Sequence, residues 1–311
     1  MVPPSRFQLA LLTDTVRERL FLLDQRRRLR RIAAYHRPPA DVGALLEAVQ
    51  RKVLVFTVTA GRSGTTFLAR LFAALPDVAS LHEPAPHFQF FMRQAQHDPA
   101  AARRFWLEYK LPQIAAEPTA RYAELSHMFG KGFLEPLLAL GIVPRVVMLR
   151  RHPRLVAASW QARGATPGRG KRGLKLHLRP DDPDVLPYPN WHAATDYQLC
   201  FWYALEIERR QRVYQTLLER AGGITVDVTA DELHDGDRFL AAADTLDLLA
   251  PGVDRIALLR RHCEIAAVIH KPSTRRIAPA PIDEETQVWA AVSAAAPWLR
   301  AEVDQRYPPP R

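Results

Sequence analysis

The sequence predicts an α/β fold: a parallel β-sheet of about five strands, flanked by helices on both faces. Three observations carry this. Short β-prone apolar runs recur along the 311-residue chain. Helical segments separate successive runs. The first run is apolar at nearly every position, which is what a strand buried on both faces requires. No internal repeat breaks the pattern.

The elements follow in chain order. Thr13–Tyr35 reads as a helix in which Leu20, Leu22 and Leu23 precede the string Arg26-Arg27-Arg28-Leu29-Arg30-Arg31. This N-terminal basic helical extension, residues 1–50, either packs a solvated face on the rest of the chain or meets an anionic membrane or another anionic partner. Arg51-Lys52 lead into the first strand, Val53–Thr59, then a glycine-bearing turn and a helix over about Thr66–Ala74. Further strands are expected at Val78–Leu81, about Arg121–Ser126, Val143–Leu149 and Ile224–Val228. Helices lie between them, among them Phe133–Leu140, Arg154–Arg163 and Asp196–Arg220. Gly164–Asn190 differs: it holds Gly164, Pro167, Gly168, Gly170, Gly173 and four prolines from Pro180 to Pro189. It reads as a long ordered loop or lid. The α/β domain is therefore expected over residues 51–306, with a frayed tail at 307–311.

Composition narrows the classes. Hydrophobic residues at 48% and charged residues at 24% are ordinary for a globular protein. The formal net charge of +10 attracts polyanions without choosing among nucleic acid, anionic lipid and a phosphate-rich small molecule. The only two cysteines, Cys200 and Cys263, lie far apart and build neither a metal site nor a disulfide framework. No signal-peptide layout and no apolar run of membrane-spanning length is present, so a cytoplasmic location is expected.

Thr59-Ala60-Gly61-Arg62-Ser63-Gly64-Thr65-Thr66-Phe67 is the most informative segment. It leaves a buried strand and opens a helix, where backbone N–H groups and the helix dipole bind anions. Gly61 and Gly64 allow close approach of an oxyanion, Ser63, Thr65 and Thr66 add hydroxyls, and Arg62 adds a permanent charge. A nucleotide-hydrolysing P-loop needs Gly-Lys at its end. Here Thr65 follows Gly64 and the cation precedes the glycine, which counts against an ATPase, GTPase or nucleotide kinase.

Gly-Arg-Ser-Gly-Thr-Thr resembles the 5'-phosphosulfate loop of sulfotransferases that use 3'-phosphoadenosine 5'-phosphosulfate (PAPS). That resemblance implies a P-loop-NTPase-like sheet, PAPS as co-substrate and no metal. It also implies a second motif, a strand followed by Arg and, eight residues on, Ser. Val146-Val147-Met148-Leu149-Arg150-Arg151 continues to Ser159 with that spacing. Arg151 leaves the carboxyl end of a strand, where ligands of open α/β sheets sit, and Pro153 suits a first helical turn. By resemblance Arg151 and Ser159 hold the 3'-phosphate. A late basic segment, His270-Lys271-Pro272-Ser273-Thr274-Arg275-Arg276, corresponds to a nucleotide-closing loop, which assigns Lys271, Ser273, Thr274 and Arg275 to the cofactor, or it is a solvated charge run. Phe67 either faces the adenine or joins the core.

Sulfuryl transfer needs a base for the acceptor hydroxyl and charge stabilisation on the leaving phosphate. Arg62 suits the leaving group and cannot be the base. Relatives carry Glu, often Glu-Pro, where this chain has Leu81-His82-Glu83-Pro84, so Glu83 is the expected base and His82 the runner-up. Tyr122-Ala123-Glu124-Leu125-Ser126-His127 resembles a third-strand segment that carries lysine in many relatives; the lysine is missing, and His127 either faces the acceptor or is structural. A weaker likeness extends to Val226–Leu233. The acceptor is expected to be a carbohydrate or another small molecule or lipid. A basic nucleic-acid-binding module lacks any recognition motif here. A PAPS-binding protein without activity is the remaining alternative.

Overall fold

A computed structural model describes residues 32–269 and 281–308 without a break, and Val16, Arg19, Leu20, Leu23, Asp24, Arg27 and Arg30 ahead of them. The expected strands form at β1 (Val53–Val58), β2 (Val78–His82), β3 (Arg121–Leu125), β4 (Arg145–Arg150) and β5 (Thr225–Thr229). They pair as one five-stranded, all-parallel sheet in the order β2-β3-β1-β4-β5. The chain goes to one side of β1 for β2 and β3 and to the other for β4 and β5. That arrangement opens a crevice at the carboxyl end of β1, the place where open α/β sheets bind ligands.

Both sheet faces are covered, which explains the continuous apolar run of β1. On one face Val55, Ala123, Leu125, Val147 and Leu149 pack against Leu68, Leu71 and Phe72 of the helix Thr65–Phe72, with Phe239, Leu240 and Leu258 beside them. On the other, Phe56 stacks on Phe129 at 4.5 Å and meets Trp106 edge-on at 5.7 Å. Burial of a ring of this size contributes about 1.5–3 kcal/mol. Trp106 opens a π-helical segment, Trp106–Lys110, between the helices Pro99–Phe105 and Leu111–Ala116. Asp98 caps this run through the Ala100 amide, with Pro99 at the first turn.

The chain divides into two compact units, and the sheet lies in the one made of Tyr35–Arg151 and Arg210–Arg276. The other comprises Met1–Ala34, His152–Arg209 and Ile277–Arg311. Its helices include Pro153–Gln161, Ile282–Val292 and Pro297–Arg306. Arg154 donates to both oxygens of Glu285 at 3.0 and 2.8 Å, and Tyr197 donates to Glu285 at 2.7 Å. Arg306 pairs with Glu208 at 3.1 Å. The helix Asp196–Arg220, found at its expected bounds, contributes to both units.

The stretch read as a loop or lid is not wholly irregular: Gly170–Leu176 is helical. Gly173 makes this turn possible, because a Cβ there would lie 1.7 Å from the carbonyl oxygen of Thr166. Of the N-terminal helix, the described positions from Val16 to Ile32 are helical and a 3-10 turn, Ala33–Tyr35, follows. His270, Lys271, Ser273, Thr274, Arg275 and Arg276 lie outside the described residues, as do residues 309–311 of the expected tail.

Candidate functional site

Parallel pairing places the carboxyl ends of all five strands on one edge of the sheet, and Gly61, Arg62, Ser63, Gly64, Glu83 and Arg151 lie just past those ends. The chain leaves β1 through a turn in which Gly61 (φ 75°), Arg62 (φ 61°) and Gly64 (φ 97°) adopt left-handed backbone conformations. Such turns direct successive N–H groups toward a common anion. Arg62 is not a glycine, so this conformation costs it roughly 1–2 kcal/mol. Gly64 is required twice over, by its φ and because a Cβ would lie 2.8 Å from Ala230 Cβ, just after β5. The N-cap of the helix Thr65–Phe72 is Gly64, which has no side chain to accept from the first-turn amides.

The hydroxyls divide. Ser63 is buried and donates to the Gly61 carbonyl at 3.1 Å, which makes it a brace of the turn. Thr65 and Thr66 instead reach His82 Nε2 at 3.1 and 3.4 Å. Phe67 is 4% exposed and stacks on His234 at 4.5 Å, so its ring belongs to the core.

Arg151 follows β4 and donates to the carbonyl of Arg62, joining the second sequence motif to the first. Its neighbour has a different task. Arg150 is buried, donates to both oxygens of Asp227 at 2.7 and 2.6 Å, and reaches Gln211 at 2.7 Å. Gln211 in turn donates to the Val58 carbonyl at 2.8 Å, so this network braces β1, β4 and β5 behind the turn. Ser159 lies on the helix Pro153–Gln161, in the unit that does not hold the sheet.

Glu83 follows β2 directly, with φ at 49°, a second strained non-glycine residue beside the turn. Its Oε1 accepts from His127 Nδ1 at 2.7 Å. Burial pushes the Glu83 carboxyl up, but the His127 hydrogen bond and the neighbouring positive charge of His127, His82 and Lys131 prevail and hold it at about 2. His127 lies below its ordinary value because it is buried and near Lys131. Of the influences that favour ionised Glu83, the His127 hydrogen bond is the largest.

Two cations had no sequence assignment. Lys131 is fully buried, and burial drives its ammonium well below the usual range, with the Glu83 charge opposing and Arg93 and Arg210 reinforcing the shift. The available signal was Gly130-Lys131-Gly132: a Cβ at Gly130 would lie 2.8 Å from Val58 Cγ1, so this segment packs tightly on the end of β1. Lys110, on the π-helical segment, bonds both oxygens of Glu124 at 3.0 Å, and Tyr122 donates to the same carboxylate at 2.7 Å. Glu83, Gln89, Glu124, Ser126 and Met128 line a small recess. The arrangement combines an anion-shaped turn, two arginines and an ionised carboxylate next to a small polar recess. No protein-family model matches the sequence, and no curated protein matches it.

Proposed function

We propose that this protein is a sulfotransferase that moves a sulfuryl group from PAPS to a hydroxyl or amine of a carbohydrate or another small molecule or lipid, releasing 3'-phosphoadenosine 5'-phosphate (PAP). The observation that supports this most is the convergence at one sheet edge of the left-handed turn Gly61–Gly64, the Arg151 guanidinium on the Arg62 carbonyl, and the ionised Glu83. PAPS brings an activated sulfur whose bond to the bridging phosphate oxygen breaks as the acceptor attacks. The protein's share is positioning and electrostatics. Turn amides and the fixed charge of Arg62 hold the phosphate that gains negative charge on leaving. Arg151 is assigned to the 3'-phosphate.

Glu83 accepts a hydrogen bond from the acceptor hydroxyl and takes its proton. A carboxylate held at about 2 is a weak base, so the proton transfers in step with formation of the new O–S bond and not before it. His127 is a positioning residue, fixing one carboxylate oxygen and leaving Oε2, which has no hydrogen-bond partner among the described residues, for the acceptor.

Calorimetric titration with PAP, ADP and ATP, without metal, tests the reading. Expected are tight PAP binding, weak ADP binding, and a loss of roughly ten- to a hundredfold in PAP affinity in an Arg151→Ala variant. Equal binding of ADP, or binding only with Mg2+, would overturn it in favour of a nucleotide kinase.

A further inference from the structure

The function proposed above uses neither the N-terminal helix nor the basic residues of Gly164–Asn190. Val16, Leu20 and Leu23 recur at helical spacing i, i+4 and i+7, and so share one face of a helix. All three side chains stand in solvent, at 56%, 61% and 54% exposure, whereas Ile32 on the same helix is 3% exposed. The apolar stripe runs into arginine: Arg27 and Arg30 continue the same face, Arg19 flanks it, and all three are exposed. Asp24 is the acidic residue among these described positions, and it pairs with Lys171 at 3.2 Å. That ion pair offsets the negative charge of Asp24. It also sets the helix Gly170–Leu176, with Lys171 and Arg172 in its sequence, beside the N-terminal helix in the same unit.

We infer that this face docks on an anionic membrane surface. Three exposed apolar side chains in a row have no reason to remain in water, and the cations around them exclude a purely apolar partner. Arginine stems lie along apolar surface while their heads reach phosphate, which fits leucines at the acyl boundary and guanidinium groups at the headgroups. The attachment is peripheral: among the described residues no helix is long and apolar enough to cross a membrane.

The full chain is sedimented with phosphatidylcholine vesicles and with vesicles containing phosphatidylglycerol, at low and high salt. Expected is binding to the anionic vesicles alone. Arg27→Gln with Arg30→Gln weakens it about 30-fold, equivalent to about 2 kcal/mol at roughly 1 kcal/mol per cation. Leu20→Glu with Leu23→Glu weakens it at least as much. Both pairs sit at exposed positions, and circular dichroism confirms that each variant is folded. The inference is overturned by failure to bind anionic vesicles, or by binding that the leucine pair leaves unchanged, since that is mere adsorption of a cation. Dimerisation that the leucine pair abolishes, without vesicle binding, assigns the face to a second copy and equally overturns it. PAP affinity stays unchanged in every variant, so this test stands apart from the sulfotransferase reading.

Discussion

Replacing Lys110 with methionine perturbs the floor of the candidate site at a point where the cost follows from geometry. Lys110 and Glu124 are both wholly buried, with the ammonium 3.0 Å from the carboxylate. Breaking such a pair by removing one partner costs about 3–5 kcal/mol, because it strands a charge. The Tyr122 hydroxyl still holds one carboxylate oxygen at 2.7 Å, which places the expected loss near the lower end of that range, about 3 kcal/mol. Methionine keeps the aliphatic stem but forfeits the ammonium lying 4.9 Å from the Phe88 ring centre.

The loss also depends on pH, with a definite sign. Burial already raises the Glu124 carboxyl, and Lys110 is the first influence opposing that rise. Without Lys110 the folded value climbs further above the ordinary 4.5 of the unfolded chain. Between those two values the folded state binds the extra proton, so stability falls as pH rises, by up to about 1.4 kcal/mol per pH unit. Urea unfolding followed by circular dichroism should therefore show a smaller deficit near pH 5 than near pH 7.5. Adding Glu124→Gln should recover most of it. A deficit below about 1 kcal/mol near pH 7.5, or one identical at both pH values, refutes the argument that a stranded carboxylate sets the cost.

Other expected outcomes bear directly on the site. Glu83→Gln keeps an oxygen for His127 but removes the base, so transfer of labelled sulfate from PAPS should fall by roughly 10²–10⁴ while PAP affinity changes by less than about twofold. A parallel loss of PAP affinity would make Glu83 part of the nucleotide site instead. Gly64→Ala forces a left-handed alanine at φ 97° and a Cβ 2.8 Å from Ala230. It should cost about 1–2 kcal/mol in thermal unfolding and weaken PAP binding severalfold, and a variant unchanged in both would show that this turn does not hold the phosphate.

Much of the scaffold was legible in the sequence because its signals are local. β1 and β4 are buried on both faces, so they read as near-continuous apolar runs, and Asp196–Arg220 is long enough for its periodicity to stand out. Gly61 and Gly64 were legible for the same reason: a tight turn between a buried strand and a helix favours glycine at such positions. Short helices without strong periodicity, such as Met92–Ala95 and Gly170–Leu176, carry no such signal.

Tertiary structure decided what depends on contacts distant in the chain. Strand order places β3 between β2 and β1, and only this brings His127 within 2.7 Å of Glu83, 44 positions away. Arg150 and Arg151 are adjacent arginines, of which the sequence singles out the second by its spacing to Ser159. Pairing with Asp227 on the neighbouring strand makes one a brace, and the Arg62 carbonyl draws the other to the turn. Likewise, whether Phe67 faces a ligand or the core is settled by the ring of His234, and the ionised state of Glu83 by a hydrogen bond from a residue on another strand's end. Chemical type is written locally, whereas burial, pairing and protonation arise from which segments the sheet sets side by side.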